Sequence, residues 1–91
     1  MKNKIVITVV GNDRTGIVAN VSTKISELNM NIIDISQKIL ESNIFSMIML
    51  VEADESLDIQ FLQNEFHKLE EKIAVKIFLQ HEEIFRTMHR I

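Results

Sequence analysis

Ninety-one residues with 46% hydrophobic side chains make one domain with a packed core, and the lack of any cysteine excludes disulfide scaffolds and thiolate metal centres. The net charge is −3, the ten Lys and Arg residues are scattered, and Trp and Tyr are both missing, so the chain offers nucleic acid neither a basic stripe nor a stacking platform. The first apolar run stops at Gly11, too short to span a membrane and without a small-residue cleavage site; a cytoplasmic protein with no membrane partner is expected.

Residues Lys4 to Val10 (KIVITVV) are β-branched at nearly every position, as in a central strand covered on both faces, and Gly11-Asn12-Asp13 breaks the run. From Gly16 the period changes. Ile17, Val18, Val21, Ile25 and Leu28 share one helical face, and Asn20, Thr23, Lys24 and Glu27 the other. Asp13 is placed to cap this helix with its carboxylate, and Asn29-Met30 ends it. In Asn31 to Leu40 (NIIDISQKIL), Ile33, Ile35, Gln37 and Ile39 alternate with Ile32, Asp34, Ser36, Lys38 and Leu40. That pattern predicts a second strand whose polar residues suit a sheet edge or a subunit boundary.

A hairpin turn at Glu41-Ser42-Asn43 leads into a largely buried third strand, Ile44 to Ala53. Ser56 as cap and Asp58 in the first turn open a second helix with a core stripe of Ile59, Leu62, Phe66, Leu69 and Ile73, flanked by Phe61. Ala74 to Leu79 is the fourth strand. From Glu82 to Ile91, Ile84, Phe85, Met88 and Ile91 recur at helical spacing, with acids in front and His89 and Arg90 near the end, which predicts a short third helix.

Strand, helix, strand, strand, helix, strand is the split βαβ or ferredoxin-like order. Right-handed crossovers then place both helices on one face of an antiparallel sheet of order 4-1-3-2. The expected architecture is a single α+β domain over residues 1–91, with a βαββαβ core over 3–80 and an appended helix over 82–91. A domain of this size buries only roughly 60% of its unfolded surface, so a partner subunit is expected to add burial. Strands 1 and 3 are apolar on both sides while two helices cover only one. The C-terminal helix or another subunit has to cover the rest.

Catalytic chemistry leaves no mark on the chain. There is no nucleophile elbow, phosphate-binding glycine loop or zinc pattern, and no spacing ties a nucleophile to a base, so neither an enzyme nor a cofactor is expected. Met47 and Met49 alternate as core filler. His81, Glu82 and Glu83 are chain neighbours that do not converge on one ion, and no metal is expected.

The segment from Val9 to Leu40, VVGNDRTGIVANVSTKISELNMNIIDISQKIL, resembles the ACT domain pattern: a strand, G-x-D-R-x-G-(I/V/L)-(V/L) entering a helix, then N-I and a second strand. ITVVG and NIIDISQKIL look especially like the stand-alone single-ACT proteins of the UPF0237 type, and the resemblance runs on through FSMIMLVEAD. It implies regulatory domains that pair edge to edge through strand 2, with first helices adjacent and small ligands at the seam. The ligand site implied for this chain comprises Asn12, Asp13, Gly16, Ile17 and Asn31, the last reaching across from the neighbouring copy. Thr15 stands where many ACT loops have proline, and Gly11 where some amino-acid-binding members carry a polar side chain.

The chemistry of those residues is coherent on its own. A helix N-terminus attracts a carboxylate, Asp13 can meet an ammonium, and Asn31 offers a donor and an acceptor, a set that suits a zwitterion. Each also has a plainer reading: Asp13 as a cap alone, Gly16 as relief of helix–strand packing, Asn31 as a turn residue. The function implied is a homodimeric sensor of an amino acid or related metabolite. The alternative is a ligand-free interaction module that docks onto a metabolic enzyme or transcriptional regulator.

Overall fold

The computed structural model describes residues 2–13 and 15–88. Its elements are β1 (Lys2–Asn12), α1 (Ile17–Glu27), β2 (Asn31–Leu40), a 3₁₀ turn (Glu41–Asn43), β3 (Ile44–Asp54), α2 (Ile59–Ile73), β4 (Val75–His81) and α3 (Glu82–Met88). The four strands form one antiparallel sheet in the order β2-β3-β1-β4, which is the expected 4-1-3-2 counted from the other edge. β2 and β4 are its two edges.

The core lies on the helix side of the sheet. Ile5, Ile7 and Val9 of β1 stand opposite Val51, Met49 and Met47 of β3, and all six are at most 1% exposed. Against them α1 sets Ile17, Val21 and Ile25, and α2 sets Leu62, Phe66, Leu69 and Ile73. Each such side chain contributes about 1.5–3 kcal/mol when taken fully out of water. The predicted helical stripes are therefore the core-facing ones, with Val18, Leu28 and Ile59 at their half-buried margins and Phe61 exposed.

Four local expectations are corrected. Gly11 does not break the first strand: β1 runs on to Asn12, with Gly11 paired to both Phe45 and Val75. Asp13 does not cap α1. The N-cap is Gly16, without a side-chain bond, while the Asp13 N–H donates to the Asn43 carbonyl (2.7 Å) and ties that loop to the 3₁₀ turn. Ser56 is likewise no cap, and Asp58 lies before the first turn of α2 as its N-cap. The Ser56 N–H donates to Asp54 Oδ1 (3.0 Å) within a turn closed by Leu57 N–H on the Asp54 carbonyl (2.9 Å). Ala74 belongs to the exit of α2 and not to β4, closing the helix in the left-handed region (φ 56°) with its N–H on the Glu70 carbonyl.

β2 also departs from simple alternation. A bulge at Ile33 lets Ile32 face Val51 while Asp34 faces Leu50, so Ile32 joins the helix side and Asp34, Ser36, Lys38 and Leu40 share the open side. Except for Ile32, every residue of β2 is exposed.

The open face of the sheet is only partly covered. α3 packs against β1 and β4, and Val6, which belongs to the open face, is 6% exposed. Ile48 (43%) and Phe78 (56%) remain bare. The C-terminal helix thus covers one corner of this face; His89, Arg90 and Ile91, expected in the same helix, lie outside the described residues.

One ion network links the helices. Lys24 Nζ of α1 donates to Glu65 Oε1 of α2 (2.8 Å), and Lys68 Nζ to Glu65 Oε2 (3.0 Å). The Lys24 hydrogen bond, then that of Lys68, holds the Glu65 carboxyl below its ordinary range. A carboxyl whose pKa is depressed in the fold contributes stability above its unfolded pKa of about 4.3 and loses it as pH falls through the folded value. Glu65→Gln is therefore expected to lower the melting temperature at neutral pH, with the gap to the parent closing in acid below about pH 4. Parallel melting curves across pH check this; a gap of constant size at every pH contradicts it.

Candidate functional site

The loop between β1 and α1 is built around one unusual backbone angle. Gly16 has φ 93°, a region that costs an L-residue about 1–2 kcal/mol, and its carbonyl accepts both the Asn20 N–H (2.9 Å) and Asn20 Nδ2 (2.8 Å). A Cβ at Gly16 would meet only Asn20 Nδ2, at 3.5 Å. The glycine is thus needed for the turn into α1 and not to relieve packing against the sheet. Ile17, the first helical residue, anchors the helix start in the core at 2% exposure. No acidic side chain lies in the first turn of α1, so its unpaired N–H groups keep their attraction for an anion.

Gly11 plays the opposite part. A Cβ there would come within 2.7 Å of Val75 Cγ1 and 3.2 Å of its Cα. Any side chain at this position collides with β4, which explains physically why no polar group stands there.

Of the five residues assigned from the sequence, four lie at one end of the molecule. Asn12 ends β1, Asp13 follows it with an exposed side chain, and Gly16 and Ile17 open α1. Asn31 is not with them. It opens β2 opposite Glu52, at the far end of the sheet, where it borders a hollow of about 450 Å³ shared with Ser22, Ser26, Asn29 and Met30. Because β1 and β2 run parallel, a single chain cannot bring Asn31 to the Asp13 loop.

A second feature at the Asn12 end was not read from the sequence. A hollow of about 520 Å³ lies between the end of β1 and the last turns of α2, with Val10, Gly11, Ile44 and Val75 as its apolar wall. His67, Glu70 and Glu71 form its polar rim. His67 Nδ1 is 3.0 Å from Glu70 Oε1 and its Nε2 is 3.2 Å from Glu71 Oε1. Glu70 Oε2 accepts the Ile77 N–H, which fixes α2 to β4. The i, i+3, i+4 spacing of His67, Glu70 and Glu71 was the available signal, though such spacing on a charged helix is common. Among the described residues, no group of three or more His, Cys, Asp or Glu is arranged to hold a metal.

Comparison with known proteins bears on this geometry. A family model described as the ACT domain matches residues 3–80. A UPF0237 protein of Methanocaldococcus jannaschii is 47% identical over 90 residues, covering 98% of this chain and 99% of that protein. Among solved structures, an ACT domain protein from Streptococcus pneumoniae superposes with a TM-score of 0.85 at 47% identity, over 93% of this chain and 96% of that one. A putative glycine cleavage system transcriptional repressor gives a TM-score of 0.78 at 25% identity, over 89% of this chain and 46% of the other.

The left-handed turn makes a separable expectation. Gly16→Ala should lower stability by about 1–2 kcal/mol, and Gly16→Asn, a residue that tolerates this region, should recover most of the loss. Denaturant unfolding checks both; an Ala variant as stable as the parent contradicts the role given to the turn.

Proposed function

The chain belongs to the ACT domain family, a family of regulatory, ligand-binding domains, and we propose that it acts as a homodimeric sensor of an amino acid or related small zwitterion held at the seam between two copies. The observation that carries this reading is the state of β2. Nine of its ten residues are exposed, with Ile33, Ile35, Ile39 and Leu40 between 40% and 58% accessible, along a sheet edge that no other element pairs among the described residues. A long edge with apolar side chains is a template for another strand.

A second copy related by a two-fold axis supplies that strand antiparallel, so the head of its β2 arrives beside the tail of the first. The tail is joined to the ligand loop, since the Asn43 carbonyl holds the Asp13 N–H. Asn31 of the neighbour thereby enters the notch formed by Asn12, Asp13, Gly16 and Ile17, which it cannot reach within its own chain. The α1 N-terminus then faces a ligand carboxylate, Asp13 its ammonium, and Asn31 either group. Asp13 spends no bond on capping, and its exposed side chain is available for this role.

Thermal shift with the twenty amino acids tests the proposal. A cognate ligand at about 100 times its dissociation constant adds about 2.7 kcal/mol, a rise of upward of about 10 °C in a domain this size. Asp13→Ala should abolish that rise while leaving the unliganded melting temperature nearly unchanged. No shift with any amino acid, confirmed by calorimetry, would refute the sensor in this form. A second reading, a protein-docking module, is favoured by Phe61, 45% exposed on the outer side of α2. It predicts capture of a partner protein from the native cell that Asp13→Ala does not weaken.

A further inference from the structure

We infer that two copies join along β2 in one register, with Ser36 on the two-fold axis and Asp34 of each chain facing the partner's Lys38. This rests on the reading above that β2 is the seam, and adds which residues meet there. Residues opposite one another in an antiparallel pair lie on the same face of the sheet. With the helices of both copies on one side, the two-fold axis must therefore pass through a residue of β2 and not between two.

Charge selects among the possible centres. Asp34, Ser36 and Lys38 stand opposite Leu50, Ile48 and Ser46 of β3, so they share the open face, and all three are exposed. Centring on Asp34 or on Lys38 sets like charges directly against each other, which destabilises the pair. Centring on Ile35 leaves Asp34 opposite a serine and, counted through the bulge, Lys38 opposite the partner's Asn31. Centring on Gln37 puts Asp34 against the partner's Leu40, a carboxylate over an aliphatic side chain. Only Ser36 as centre pairs Asp34 with Lys38, and the symmetry makes the pair twice.

The remaining contacts agree. The Asp34 carboxylate already lies along the strand, where Oδ1 accepts the Ile35 N–H (2.9 Å). The same register brings Ile33 beside the partner's Ile39, both exposed in the single chain. Because the bulge sets Ile32 and Ile33 together against one residue, Leu40 then stands opposite the partner's Asn31, which reaches the Glu41–Asn43 turn that holds the Asp13 loop. The sequence Asp-x-Ser-x-Lys is thus self-complementary when reversed, and the seam it specifies is also the one that completes the notch.

The absence of cysteine makes a direct test possible. Opposite residues in an antiparallel pair have Cα atoms about 4.5–5.5 Å apart, within the span of a disulfide. Ser36→Cys should therefore oxidise to a covalent two-chain species several times faster than Ile35→Cys or Gln37→Cys at the same concentration. Lys38→Glu should raise the dissociation constant of self-association by about tenfold through two lost pairs, and Asp34→Lys combined with Lys38→Asp should restore it. Faster linkage at position 35 or 37 would overturn the register while leaving the seam intact. If all three link no faster than Gln63→Cys on the outer side of α2, and the protein has the mass of one chain, the register and the seam both fall.

Discussion

The unpaired edge of β2 is the constraint on which the rest of the molecule depends. Backbone N–H and C=O groups along a strand are obligatory hydrogen-bonding groups, and an edge leaves half of them facing outward. Short edges, proline and inward-pointing charges are the usual ways to blunt such a surface. This chain has no proline, its β2 is ten residues long, and its two charges stand among exposed Ile33, Ile35, Ile39 and Leu40. The other edge, β4, is seven residues long and carries exposed Lys76 beside the bare ring of Phe78. Of the two edges, β2 is the one whose composition suits pairing with a copy of itself.

Topology turns that edge into a site. In a βαββαβ chain the loop leaving β1 and the head of β2 lie at opposite ends of the sheet, separated by the length of α1. A site that needs both can be assembled only by antiparallel juxtaposition of two chains. The sensor proposed above therefore links ligand binding and assembly thermodynamically: whatever binds only the paired form stabilises the pair by mass action. The two glycines serve that arrangement from different sides. Gly16 supplies a backbone angle that aims α1 at the notch, and Gly11 lets β1 and β4 close behind it.

Most of the fold was legible in the sequence because hydrophobic periodicity is a signal of burial, and burial dominates the energetics. The stripes Ile17-Val21-Ile25 and Leu62-Phe66-Leu69-Ile73 were visible as helix faces and are the core. What failed was local hydrogen-bond chemistry. Asp13 and Ser56 have the right composition for caps, yet the chain turns at Gly16 and at Asp54–Leu57 by backbone bonds that leave both side chains without a helix to cap. Gly11 was read as a breaker because composition alone does not distinguish a glycine that ends a strand from one that admits a neighbouring strand. The bulge at Ile33 was invisible for the same reason: one extra residue changes which face a side chain takes without changing the composition. In the candidate site, the residue types were legible and the resemblance implied that Asn31 comes from a neighbouring copy, whereas the His67–Glu70–Glu71 rim resembled any charged helix surface.

Hydrogen exchange along β2 tests the central claim most directly, because it reads the outward amides themselves. With self-association under way, the outward-facing amides between Ile33 and Ile39 should exchange slowly, and dilution should release them in step with the fall in mass from two chains to one. Exchange of those outward amides that is fast at every concentration, in a protein that always has the mass of a single chain, would mean that the edge is left open to water and that the account fails.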